Sequence, residues 1–108
     1  MITTPASQIA GHRVVETLGL VRGNTIRARH MGRDITAALK SLIGGEIEEY
    51  TKMMGESREQ ALARMADQAR ALGADAITDV RFSTSYLMGS AAEILAYGNA
   101  VRLAPAED

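Results

Sequence analysis

Arg13-Val14-Val15-Glu16-Thr17-Leu18-Gly19-Leu20-Val21-Arg22, then Gly23-Asn24, then Thr25-Ile26-Arg27-Ala28-Arg29-His30 is the stretch on which the fold turns. Both flanks are rich in β-branched residues and carry apolar side chains at both parities. Glycine supplies the positive φ that the first central position of a type II′ turn needs, so Gly-Asn between two such runs predicts a two-residue hairpin. The expected strands are about 12–22 and 25–31, with Arg22 facing Thr25 and Val21 facing Ile26. Ahead of them, residues 1–11 are polar and broken by Pro5, which fits a loose arm or a short edge strand.

Beyond His30 the period changes. Ile35, Ala38, Leu39, Leu42 and Ile43 recur at helical spacing, behind Asp34 as cap or first-turn acid and ahead of Gly44-Gly45 as the stop. A second helix is expected from about 46 to 72. Its stripe is Ile47, Tyr50, Met54, Ala61, Leu62, Met65, Ala66, Ala69 and Leu72. Glu48 and Lys52 are placed to pair on its wet side. Gly55 marks a kink or break inside it, and Gly73 is the C-cap. Residues 76–84 then alternate as a strand, Met88-Gly89-Ser90 turns, and residues 92–103 form the last strand. On that strand Leu95, Tyr97, Val101 and Leu103 point one way, while Ile94, Ala96 and Ala100 point the other.

The order is therefore β-β-α-α-β-β in one domain over residues 1–108. This is an α+β, two-layer build with a mixed or antiparallel sheet and helices on one face. The outer strands are apolar on both faces, and two helices in one chain cover only one. Another copy of the protein is the simplest cover for the second face, so a homo-oligomer is expected.

Composition narrows the function more by exclusion than by assignment. With 46% apolar and 23% charged residues the chain has a globular balance, and its net charge of −1 makes no bulk electrostatic case for nucleic acid or anionic membrane. There is no cysteine, which removes disulfides, thiolate nucleophiles and thiolate metal sites. Met1-Ile2-Thr3-Thr4-Pro5 lacks the basic-then-apolar pattern of a signal peptide, and no apolar run reaches the roughly 20 residues of a membrane span. The cytoplasm is the expected compartment.

Candidate chemistry is sparse. His12 and His30 are the only histidines; they are far apart in sequence and neither has a carboxylate at helical ligand spacing. They are the candidate metal ligands, and exposed loop or strand-end histidines are the plainer reading. Glu46, Glu48 and Glu49 suit a helix start as well as an acidic rim. No serine sits in a Gly-x-Ser-x-Gly elbow, and neither dinucleotide nor P-loop glycine patterns occur. These absences argue against an enzyme, and nothing requires a cofactor. Gly44-Gly45 opens a helix whose amides would suit an anion, although a helix–helix corner explains it as well. Arg22, Arg27, Arg29 and Arg33, with His30, fall within twelve residues. In an assembly they would make a basic band for phosphates or an acidic partner, whereas edge-strand charges that discourage aggregation explain them more simply. Met53, Met54 and Met65 read as packing on the long helix.

Several segments together resemble one family. They are Glu16–Gly23, Arg33-Asp34-Ile35, Ile43-Gly44-Gly45, Tyr50, Arg58–Leu62, Ala71–Ile77 and Gly98–Leu103. Their order and spacing, from about residue 2 to 103, are similar to those of the YbjQ family, whose domain carries a heavy-metal-binding label. The resemblance implies a dodecin-like subunit in a ring-shaped assembly, a pentamer. Three functions stand beside one another: an oligomeric ligand-binding or scaffold protein, an interaction module presenting a repeated basic surface, and an enzyme with a site between subunits.

Overall fold

The computed structural model describes residues 1–28, 45–87 and 91–107. Strand β1 is Ile2–Thr3, β2 His12–Ala28, β3 Ala76–Leu87 and β4 Ala91–Pro105; helix α1 is Gly45–Ala71. The sheet is mixed, with strand order β1-β3-β4-β2. β1 runs parallel to β3, while β4 is antiparallel to both β3 and β2. The architecture is α+β.

Two strands precede the helix, but they are not the two expected. Gly23-Asn24 does not turn. β2 runs straight through it, Gly23 opposite Ala96 and Asn24 opposite Leu95. The reason lies in the helix. A Cβ on Gly23 would fall 2.2 Å from the Ala61 carbonyl oxygen and 2.4 Å from the Met65 amide nitrogen. Gly23 is small because α1 crosses it, and the long strand β4 supplies a partner along its whole length. The other leading strand is the short edge strand at residues 2 and 3. It is extended by Thr4 and Ala6, whose backbone groups bond Ile77, Val80 and Asp79.

The remaining elements follow the sequence closely. α1 starts at Gly45 and continues through Gly55, so the helix is not broken there. It ends as glycine dictates: Gly73 has φ +80°, the Gly73 amide donates to the Arg70 carbonyl and the Ala74 amide to the Ala69 carbonyl, which is a complete Schellman cap. Arg70 places a cation in the last turn, where the helix dipole favours it. β3 and β4 run a few residues longer than expected. The helix expected at 34–43 and the turn at 88–90 lie outside the described residues.

The core forms between α1 and one face of the sheet. Tyr50, Ser57, Ala61, Met65 and Ala69 come from the helix, Val21 from β2, Ile77 and Val80 from β3, and Ile94, Ala96 and Ala100 from β4. Small residues on both sides let helix and sheet approach closely. Gly98 is small for a different reason: a Cβ there would meet Ile77 Cγ2 at 2.7 Å and the Thr78 carbonyl oxygen at 2.8 Å, both on the neighbouring strand β3. Met65, Ile77 and Val21 are among the largest fully buried side chains, each contributing about 1.5–3 kcal/mol by burial. Polar contacts pin α1 along the edge strand. The Arg22 amide donates to Gln68 Oε1 at 2.7 Å, and Arg64 Nη1 donates to the Asn24 carbonyl at 2.6 Å. Buried Thr25 Oγ1 donates to the Ser57 carbonyl at 3.0 Å.

Three irregularities bend the sheet. β2 carries extra residues between Val14 and Glu16 and between Thr17 and Gly19, and β3 carries one between Thr78 and Arg81. Gly19 (φ +132°) and Asp79 (φ +56°) take the positive-φ backbone at two of them.

Candidate functional site

Register decides which face each side chain takes. On β4 the even positions Ile94, Ala96 and Ala100 face α1, so the odd positions Leu95, Tyr97 and Leu103 face away. Opposite them on β2 stand Asn24, Arg22 and Val14, with Leu20 and Ile26 on the same side. Leu20 is 66% exposed and Ile26 60%, two large apolar side chains on the face that no described element covers. The alternation expected of β4 holds from Ile94 to Tyr97, whereas Val101, expected with Leu95, Tyr97 and Leu103, is only 2% exposed. A second apolar shelf lies beside α1: Phe82 pairs with Ala96 and Tyr86 with Ala92, on the helix side of the sheet, yet both are exposed.

The arginines separate. Arg22 lies on the face away from α1, in a cross-strand row with Tyr97 and Arg81. Arg27 lies on the helix side, where Nη1 is 3.4 Å from Glu56 Oε2 and Nη2 donates to Gln60 Oε1 at 3.0 Å. Its charge is engaged in docking the helix. Arg22 and Arg27 therefore belong to no common band, while Arg29 and Arg33 lie outside the described residues. Arg81 donates to the Pro5 carbonyl at 2.9 Å and ties down the N-terminal arm.

His12 opens β2, and His30 lies outside the described residues. Among the described residues of one copy no three His, Asp or Glu side chains gather as metal ligands. The side chains of Glu46, Glu48 and Glu49 are likewise outside the description. No helix of the described residues is long and apolar enough to cross a membrane.

Residues 7–11 fold over the start of β2 and the end of β4 and line an open cleft of about 640 Å3. Val14 and Leu103, paired across the two strands, lie in its wall with Ile9; Ser7, His12 and Arg13 bring polar groups. The loop is held at several points. Ser7 Oγ donates to Asp79 Oδ1 at 2.5 Å, the His12 amide donates to the Ile9 carbonyl, and the Ala106 amide donates to the Gly11 carbonyl. Asp79 also accepts from Asn99 Nδ2. The Ser7 hydroxyl, the Thr78 and Asn99 side chains and the nearby Arg81 charge hold its carboxyl below the usual aspartate value. The sequence offered one signal for this cleft, a polar Pro-broken arm just before a strand, but no motif.

Comparison with known proteins places the chain. A family model described as "Putative heavy-metal-binding" matches residues 1–104. A UPF0145 protein of Methanoculleus marisnigri is 58% identical over 105 residues, covering 97% of this chain and 98% of the relative. A UPF0145 protein of Halorubrum lacusprofundi is 62% identical over 95 residues, covering 88% and 91%. A crystal structure from Pediococcus pentosaceus, described as a protein of unknown function in the DUF74 family, superposes with a TM-score of 0.67 at 16% identity. It covers 96% of this chain and 98% of that one, a likeness of fold alone. With a family match along almost its whole length and relatives of this closeness, the chain belongs to the YbjQ family of UPF0145 proteins.

Proposed function

We propose that the protein is a cytoplasmic, single-domain, dodecin-like subunit of a homo-oligomeric ring, a pentamer, that serves as a ligand-binding or scaffold assembly. The observation that carries this reading is the face of the sheet that no described element covers, where Leu20, Ile26, Leu95 and Tyr97 stand opposite the helix layer. Burying side chains of this size contributes about 1.5–3 kcal/mol each, and an assembly collects that gain in every copy. The shape agrees. The chain extends 57 × 23 × 15 Å with a radius of gyration of 17.3 Å, against about 13 Å for a compact domain of similar length. Beyond Val80, β3 has no strand on the side away from β4 among the described residues, which leaves a backbone edge for a neighbour. Arg27 is paired to the helix, so a repeated basic surface has less support than assembly itself.

Sedimentation velocity and native mass spectrometry of the untagged protein test the reading. A single closed species of several copies is the expected result. A monomer at micromolar concentration overturns it.

A further inference from the structure

We infer that the open edge of β3 is a two-fold contact, on which residues 81–87 pair antiparallel with residues 81–87 of a second copy. From Arg81 to Leu87 the strand pairs with β4 in unbroken register, opposite Tyr97 to Ala91. On its other side, among the described residues, β1 reaches only Ile77 and the arm's last backbone bonds stop at Val80. Every residue from Arg81 to Leu87 is exposed, Phe82 at 45% and Tyr86 at 58% among them.

The direction of the backbone groups follows from the opposite edge of the sheet. Within a strand, successive residues turn their N–H and C=O to alternate sides. The Arg22 amide donates to Gln68 and the Asn24 carbonyl accepts from Arg64, so both residues turn these groups away from β4. Their partners Tyr97 and Leu95 therefore turn toward β3, where they meet Arg81 and Ser83. The alternate residues Phe82, Thr84 and Tyr86 then point their amides and carbonyls out over the open edge. The bond from the Val80 amide to the Thr4 carbonyl, on that same side, fits the phase.

The two edges differ in protection. Side chains of α1 close β2 at Arg22 and Asn24, and two irregularities interrupt it further down. Such devices discourage edge pairing. Residues 81–87 carry no proline, no lysine and no bulge, and their single charge, Arg81, is drawn to the Pro5 carbonyl. The occupant is a second copy because the segment is complementary to itself. Arg81-Phe82-Ser83-Thr84-Ser85-Tyr86-Leu87 reads nearly alike in both directions about Thr84. A two-fold axis beside Thr84 sets Phe82 against Tyr86 of the partner subunit and Ser83 against Ser85 of the partner subunit. The aromatic pairs fall on the helix side, which accounts for two large side chains left exposed beside α1.

One strand edge is smaller than the roughly 1,200–2,000 Å2 of a stable interface, so two lone copies pair only weakly. A pentameric ring has no two-fold axis of its own. The edge therefore joins one ring to another, where the contact of each copy adds to the rest. That stacking rests on the proposed ring; the pairing itself is tested apart from it.

The chain has no cysteine, so an introduced disulfide reports the register. Antiparallel partners that exchange no hydrogen bonds lie closest, with Cα atoms about 4.5 Å apart, and Ser83 and Ser85 are such partners across the axis. The full chain carrying Ser83→Cys with Ser85→Cys is oxidised in air and run on a non-reducing gel beside Glu59→Cys, an exposed position on α1. Oxidation traps even a weak pair, and a two-copy band forming about tenfold faster than in the control is expected. In sedimentation velocity, Phe82→Lys with Tyr86→Lys sets like charges against each other and is expected to leave a single ring of about half the mass. Phe82→Glu with Tyr86→Lys sets unlike charges there and keeps the full mass. Both variants lose the aromatic pair, so a difference between them comes from the register and not from folding. Cross-linking no faster than in Glu59→Cys, or equal mass in the two charge variants, overturns the pairing. A wild-type monomer whose Ser83→Cys, Ser85→Cys variant still cross-links overturns the ring and leaves the edge contact standing.

Discussion

A single missing methyl group at position 23 sets the distance between helix and sheet. Gly23→Ala drives a Cβ into the backbone of α1 at Ala61 and Met65, which no rotamer change relieves. Destabilisation of about 3 kcal/mol is expected, the upper range for overpacking, and a denaturant titration reads it as a lower midpoint. Asp79 is the other residue on which local structure depends. Its native pKa is depressed, chiefly by the Ser7 hydroxyl, so its contribution is full above the ordinary aspartate value and fades as pH falls through the lowered one. The N-terminal arm is therefore expected to loosen on acidification, seen by NMR as broadening of the Ala6 and Ser7 amides. In Asp79→Asn that acid transition disappears.

At the scale of elements, the helix was legible because its signals are local. Ala61, Met65 and Ala69 recur at four-residue spacing, and Gly73 supplies the left-handed residue that closes the cap. Gly73→Ala puts a Cβ on a backbone at φ +80° and 3.0 Å from Arg102 Nη2, a flexible side-chain end that can move. A cost of about 1 kcal/mol is expected from the backbone alone, measured as a fall in thermal midpoint with the fold retained. The strands were legible as extended chain but not in their connections. Gly-Asn at 23–24 carries the local chemistry of a hairpin, yet β4 pairs β2 across it from Ala28 to His12. Fifteen residues of ladder outweigh one turn preference, and the pairing strand lies some seventy positions away in the chain.

For the whole molecule, the proposed assembly rests on the sheet face that no described element covers, where Leu20 and Ile26 are exposed. Leu20→Lys combined with Ile26→Lys introduces charges there without touching the core under α1. The doubly substituted protein is expected to dissociate to a folded monomer, with native circular dichroism and a lower sedimentation coefficient. Unchanged assembly would move the interface elsewhere. Of the cleft only the polar arm broken by Pro5 was legible: Ile9, His12 and Leu103 carry no motif, and only folding of the arm onto the joined ends of β2 and β4 brings them together.

The sequence by itself determined the elements whose causes are short-ranged: the amphipathic helix and its glycine cap, the alternation of β4, and the family through the order of its segments. Only the tertiary structure decided that Gly23 is a contact and not a turn, that Arg22 and Arg27 face opposite ways, and that the arm roofs a cleft. The physical reason is range. Caps and hydrophobic periods are settled by bonds and burial within a few residues, whereas faces, crossings and cavities depend on partners distant in the chain.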